Sequence, residues 1–124
     1  MIHLDTCVLV DALTGPRRSA PALRALIADG ERISFSALVL YEWLRGPRRP
    51  EELRAQEALF PAAQAAVFGR PEAALASERY RLVSRPRGRE LDLAIAATAI
   101  VHDAALWTLN RRDFADIPRL RLVS

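Results

Sequence analysis

The sequence contains no lysine and only one cysteine, and both facts limit what the chain can be. All 18 of its basic residues are arginine, against 15 acidic residues, so the net charge is +3. A single cysteine, Cys7, excludes a disulfide within the chain, which is typical of a protein from a reducing compartment. We expect Cys7 itself to act as a small apolar side chain in the first helix.

Long apolar runs and glycine-rich loops are also missing. No stretch approaches the roughly 18 apolar residues that a membrane span requires, and the N-terminus lacks a basic signal-peptide start, so we expect a cytoplasmic protein with no membrane contact. No glycine-rich loop follows the first apolar segment, which excludes a dinucleotide fingerprint and a P-loop. His3, Cys7 and His102 have no zinc-ligand spacing and are interpreted as structural.

What the sequence does contain is a regular alternation of strand-like and helical segments. We predict strands over 1–5, 32–36, 105–109 and 120–123, with a short extended piece over 64–68. The predicted helices are 6–13, 19–29, 37–44, 50–61, 72–83 and 91–101, the last of them almost entirely apolar. This alternation predicts one α/β domain over residues 1–124, with a parallel sheet covered on both faces.

Acidic and amide side chains occur where such a fold brings distant segments together. Asp5 and Asn110 each follow an apolar strand, and parallel strands present their carboxyl ends at one edge of the sheet. Glu42 and Asp92 lie on predicted helices among apolar neighbours, and Asp113 follows Asn110 by one helical turn. Crowded carboxylates repel one another, and a hard cation such as Mg²⁺ or Mn²⁺ relieves that repulsion. The alternative is that Glu42 lies on a solvent edge and Asp92 complements its helix dipole.

Arginines cluster beside three of these acidic positions. Positive charge around an acidic centre is expected of a metal-dependent phosphodiesterase that grips a nucleic-acid backbone. The alternative is that arginine is simply abundant here and pairs with surface acids. The clusters are Arg45, Arg48 and Arg49; Arg85, Arg87 and Arg89; and Arg111 and Arg112.

In these segments the chain resembles PIN-domain proteins, specifically the VapC-type toxin ribonucleases of toxin–antitoxin pairs. The resemblance covers nearly the whole length. Each segment alone is weakly diagnostic, but all four in this order are specific to the family. The segments are residues 4–6 with 8–11; residues 36–37 with Glu42 and Gly46; residues 92–99; and residues 108–114 with 117–118.

The resemblance implies a three-layer α/β/α sandwich whose acidic pocket binds Mg²⁺ or Mn²⁺. Family positions matching Asp5, Glu42 and Asp92 form that pocket, and a fourth group comes from Asn110 or Asp113. Thr6 and Ser36 match the small hydroxyl residues that line such pockets. Val39 departs from the family, in which threonine is common at this position.

The resemblance further implies hydrolysis of RNA by a metal-activated water, with the arginine clusters holding phosphates. It also implies a homodimer that is blocked by a small antitoxin protein, which we expect to contact residues 45–54 and the helices before them. Two alternatives stay open. One is a housekeeping PIN nuclease of RNA processing, and the other is a catalytically inactive RNA- or protein-binding module, since Asn110 replaces a common aspartate. The sequence does not specify the RNA.

Overall fold

Three short parallel strands form the centre of the fold in the computed structural model, which describes all residues from Met1 to Ser124. Ile2–Leu4 (β1) lies between Ile33–Ser34 (β2) and Ala105–Trp107 (β3), in the order β2–β1–β3. Ile2 pairs with Ile33 on one side and with Ala105 on the other. All three side chains of β1 are buried, as expected for a central strand that is covered on both faces.

Six helices flank this sheet, and the predicted α/β/α sandwich is confirmed. No helix is long and apolar enough to span a membrane. The helices are Thr6–Leu13 (α1), Ala20–Ala28 (α2), Ala37–Arg45 (α3), Pro50–Leu59 (α4), Arg70–Leu82 (α5) and Glu90–Val101 (α6).

Two predicted extended segments at the sheet edges are much shorter than expected. Residues 120–123 contribute only one bridge, between Leu122 and Leu106. Residues 64–68 contribute one bridge, between Ala66 and Ser36, because a 3₁₀ turn occupies Ala62–Gln64. Both segments lie at the margins of the sheet, where a strand has a partner on one side only.

Helix starts depart from the predictions where side chains bond to the backbone. α5 begins at Arg70, two residues earlier than predicted, because the Glu72 carboxylate accepts a hydrogen bond from the Gly69 N–H at 2.8 Å. β2 ends at Ser34 rather than at Ser36, because Ser36 caps α3 and accepts from the Val39 N–H at 3.1 Å.

α6 passes through the core, and its burial fixes the position of its first turn. Every residue from Leu93 to Ala99 is buried, and the helix packs against α5, α3 and β3. Trp43 of α3 and Leu9 of α1 are fully buried in the same core. Apolar burial of this extent leaves little freedom for α6 to shift, so the acidic residue at its start is held in place.

Candidate active site

Asp5 lies at the carboxyl end of β1, and its N–H and carboxylate together make four hydrogen bonds. Its N–H donates to the Trp107 carbonyl at 2.9 Å, which places the end of β3 beside it. Its Oδ1 accepts from the Thr6 N–H at 2.9 Å, so Asp5 also caps α1. Its Oδ2 accepts from the Thr108 hydroxyl at 2.7 Å and from the Cys7 thiol at 3.4 Å. Asp5 is only 5% exposed, and these bonds fix the orientation of its carboxylate.

Thr6 connects this carboxylate to the second predicted acid, Glu42. The Thr6 hydroxyl donates to Oε1 of Glu42, and this bond joins the start of α1 to α3. Oε2 of Glu42 lies 3.5 Å from the Arg45 guanidinium, one turn further along α3. Glu42 therefore faces the site, although it lies on the partly exposed side of its helix.

Asp92 lies in the first turn of α6, close to the other acids. Burial, followed by the negative charges of Asp5, Asp113 and Glu42 in that order, raises its pKa from 3.8 to about 6. The positive charge of Arg89 opposes the rise. A carboxylate whose pKa is raised by three like charges lies in an anionic cluster that the protein's own cations do not neutralise.

Asp113, rather than Asn110, belongs to this cluster by charge. Asp113 ends the 3₁₀ turn Arg111–Asp113, and its charge reaches Asp92. The Asn110 side chain is exposed and makes no capping bond, whereas its N–H donates to the Thr108 hydroxyl at 3.0 Å. Asn110 thus contributes backbone to the site.

The carboxylate oxygens of these acids suit a hard divalent cation, but the acids do not together surround a single ion. No group of three or more His, Cys, Asp or Glu side chains is arranged to hold one metal ion. Asp5 and Glu42 instead accept hydrogen bonds from Thr6 and Thr108. Mg²⁺ is usually bound by one or two carboxylates with several waters, so these residues fit such an ion without a complete protein cage. That Asp5 and Asp92 ligate the ion directly, while Glu42 contacts it through water or orients the attacking water, stays a prediction.

Two residues contribute to the site in ways that the sequence analysis missed. Thr108 is buried, and its hydroxyl bridges Asp5 and the Asn110 N–H. Cys7 is half-buried beside Asp5, and its sulfur accepts from the Leu109 N–H at 3.3 Å. Burial and the Asp5 charge raise the pKa of the Cys7 thiol. A hydroxyl or thiol next to the end of a strand is the sequence feature that could have identified both residues.

The two predicted hydroxyl residues differ in their placement. Thr6 bonds directly to Glu42, whereas the Ser36 hydroxyl faces the backbone of α3 and caps that helix. Ser36 therefore sets where α3 begins and, through it, where Glu42 lies. Val39, the residue that departs from the family, is fully buried in the core.

The predicted phosphate-binding arginines fall into two groups. Arg49, Arg85, Arg87 and Arg112 are exposed, and their guanidinium groups make no hydrogen bond or ion pair within the protein. The others have partners: Arg45 lies over Tyr41 at 5.2 Å, Arg48 lies over Trp43 at 4.3 Å, Arg111 donates to the Val123 carbonyl, and Arg89 pairs with Asp116.

Comparison with known proteins agrees with this fold and with the predicted resemblance. The PIN-domain family profile matches residues 2–120. Ribonuclease VapC19 of Mycobacterium tuberculosis is 42% identical over 122 residues, which cover 95% of each chain. A solved VapBC2 complex from Rickettsia felis, bound to a promoter DNA fragment, matches with a TM-score of 0.80 and 27% identity over 99% of this chain and 98% of that one. A DNA-bound VapBC from Salmonella typhimurium matches in fold, with a TM-score of 0.81 and 20% identity over 98% and 96% of the two chains.

The chain therefore belongs to the PIN-domain family. Within that family it is a homologue of the VapC type, as the four sequence segments predicted.

Proposed function

We propose that the chain is a Mg²⁺- or Mn²⁺-dependent endoribonuclease that acts as the toxin of a toxin–antitoxin pair in the cytoplasm. The observation that carries the proposal is the anionic cluster in which Asp5, Asp113 and Glu42 raise the pKa of Asp92. Such a cluster is costly in a folded protein unless a cation or a reaction uses it. The 42% identity to Ribonuclease VapC19 supports RNA as the substrate.

Each acid has a role that follows from its contacts. Asp5 and Asp92 would hold the metal ion, because Asp5 is oriented by Thr6 and Thr108 and the Asp92 carboxylate makes no ion pair or hydrogen bond within the protein. Glu42 would contact the ion through water or orient the attacking water. Asp113 would supply the fourth charge. The ion, when bound, lowers the pKa of its water and stabilises the charge that develops on the phosphate.

The exposed arginines supply positive charge for the flanking phosphates. Arg49, Arg87 and Arg112 are free to reach a ligand without breaking a bond within the protein. Arg45, Arg48 and Arg111 already contact other groups of the protein, so we expect them to contribute less to phosphate binding. Phosphate contacts fix the register of a nucleic acid without reading its sequence, so these residues support binding of a single-stranded RNA backbone generally.

An apolar groove offers a place for the antitoxin. Its volume is about 240 Å³, and Arg17 and Arg24 lie at its margins. A helix with an apolar face and acidic flanks would bury Ile27 and Leu59, which are 43% and 48% exposed. The apolar residues that line the groove come from α1, α2 and α4, and none of them belongs to residues 45–54, whose contact with the antitoxin stays a prediction. These apolar residues are Ala12, Leu13, Ala20, Leu23, Ile27, Ala55 and Leu59. The homodimer remains a prediction.

Cleavage of labelled single-stranded RNA tests the enzymatic part. We expect products with Mg²⁺ or Mn²⁺, none with EDTA, and none from Asp5→Asn. Asp103→Asn is the matched control, since Asp103 is an exposed aspartate paired with Arg121 and absent from the site. Cleavage that survives Asp5→Asn would contradict the assignment, and RNA binding without any cleavage would favour an inactive binding module.

The growth of cells that express the chain distinguishes a toxin from a housekeeping nuclease. We expect induction of the wild-type chain to arrest growth, and co-expression of the small protein encoded beside its gene to restore growth. Asp5→Asn should permit growth, whereas Asp103→Asn should not. Normal growth with active wild-type enzyme would favour the RNA-processing alternative.

A further inference from the structure

Arg89 joins three separate parts of the chain at the edge of the acidic cluster. Both oxygens of Asp116 accept from its guanidinium, at 2.6 and 3.0 Å. The Asp113 carbonyl accepts at 2.9 Å and the Ser84 carbonyl at 3.2 Å. The Arg89 side chain is only 20% exposed. Its hydrogen-bonding capacity is therefore largely used within the protein, unlike that of Arg87, two residues earlier.

The two-point contact with Asp116 has the geometry of a strong, directional ion pair. A planar guanidinium that meets both oxygens of a carboxylate fixes orientation as well as distance. Hydrogen bonding to Asp116 raises the pKa of Arg89, and the same pairing lowers the pKa of Asp116. Binding a phosphate through Arg89 would require this pair to separate.

The segment that Arg89 holds carries a site residue but has little regular structure. The 3₁₀ turn Arg111–Asp113 is followed by Phe114 and Ile117, whose side chains anchor it in the core. Asp113 itself is exposed, and its side chain makes no hydrogen bond within the protein. The bond from Arg89 to the Asp113 carbonyl is thus a direct link between this residue and the start of α6, three positions before Asp92.

We propose that Arg89 is a positioning residue that fixes Asp113 beside Asp92 by holding Asp116 and the Asp113 carbonyl, and that it does not bind RNA. This inference rests on the proposed nuclease function of the same site. It replaces the phosphate-binding role that the sequence indicated for Arg89. It also gives Asp116, which no sequence pattern singled out, a defined part in the site.

Two conservative variants and their combination test the proposal. Arg89→Lys keeps the charge but loses the two-point contact, and Asp116→Asn keeps the shape but loses the ion pair. We expect each to lower kcat by about 10- to 100-fold, the effect of a small misplacement of a catalytic group, with KM little changed. The double variant should lose no more than the larger single loss, because Asp116→Asn removes a contact that Arg89→Lys has already removed. Arg121→Ala, which removes an exposed arginine–aspartate pair with Asp103, is the control and should retain activity.

Two measurements that need no cleavage complete the test. Hydrogen exchange should become faster over residues 110–118 in both variants and stay unchanged in Arg121→Ala. RNA affinity in EDTA, measured between 50 and 200 mM salt, should stay within about twofold of wild type with the same salt dependence, because no phosphate contact is lost.

The opposite results would assign Arg89 to RNA. Weaker RNA binding in Arg89→Lys, together with tighter binding in Asp116→Asn, would mean that the guanidinium contacts phosphate when it is released. Unchanged exchange over residues 110–118 in both variants would also overturn the positioning role. If the wild-type protein cleaves no RNA, the nuclease proposal fails, while the exchange result still decides whether Arg89 holds this segment.

Discussion

The Thr108 hydroxyl donates a hydrogen bond to Oδ2 of Asp5 at 2.7 Å, across 103 positions of the sequence. This bond is part of a continuous network, since Asp5 accepts from the Thr6 N–H and Thr6 donates to Glu42. The network joins β1, α1, α3 and the end of β3. It orients two carboxylates, as the groups that surround the ligands of a metal site do.

Replacing Thr108 by valine should weaken the site while preserving its shape. Val has nearly the same volume, but it removes the donor to Asp5 and the acceptor for the Asn110 N–H. We expect kcat/KM for RNA cleavage to fall by about 10- to 100-fold and the metal concentration for half-maximal activity to rise. Thr108→Ser keeps the hydroxyl and should restore most of the activity. Equal activity of the valine and serine variants would mean that the bond does not matter.

Asp92→Asn should stabilise the metal-free protein at pH 8, even though it abolishes cleavage. The folded pKa of Asp92 is raised from 3.8 to about 6, so its ionised form disfavours folding above pH 6. That penalty shrinks as the pH falls through 6 and is lost below the unfolded value of 3.8. Thermal unfolding in EDTA should therefore give a higher Tm for the variant at pH 8 and a smaller difference near pH 4.5. A Tm difference that is independent of pH would argue against the anionic cluster.

Ile27→Asp should separate antitoxin binding from catalysis. Ile27 is 43% exposed on α2 and lines the apolar groove, whose lining includes none of the acidic site residues. A carboxylate there would face the acidic flanks expected of the partner helix and would lose apolar contact. We expect weaker binding of the antitoxin by at least about tenfold and unchanged RNA cleavage. Leu82→Asp, at a 61% exposed position of α5, is the control. Full inhibition of Ile27→Asp by the antitoxin at wild-type concentrations would place the partner elsewhere.

Cys7 should react slowly with alkylating reagents near neutral pH. Its thiol pKa is raised by burial and by the charge of Asp5, so little thiolate is present, and the Leu109 N–H approaches its sulfur. Mass spectrometry after iodoacetamide treatment at pH 7.5 should show much slower modification of the folded chain than of the chain in urea. Rapid modification of the folded protein would place Cys7 in a more open setting than beside Asp5.

The pattern of apolar residues was sufficient to predict the central strand and helix, but it was not sufficient to predict the structure at the edges of the sheet. β1 and the Leu93–Ala99 stretch of α6 are buried, so these sequences are largely apolar and indicate the core directly. The edge segment near Leu122 makes one bridge only, and its apolar pattern alone does not distinguish a strand from a single contact.

Within the site, the acids were predictable and their partners were not. Asp5 and Asp92 interrupt apolar segments at element ends, where a carboxylate is conspicuous. Thr108 and the pairing of Arg89 with Asp116 depend on which side chains meet across loops. Arg89 and Arg87 look equivalent in sequence, yet only Arg89 has a carboxylate within reach.

Titration of Mn²⁺ into the metal-free protein, followed by electron paramagnetic resonance of the free ion, tests the acidic cluster most directly. The account predicts saturable binding by the wild-type chain, with binding strongly weakened in both Asp5→Asn and Asp92→Asn and retained in Asp103→Asn. Mn²⁺ binding that is equal in all four proteins, or absent from the wild type at millimolar concentration, would contradict it.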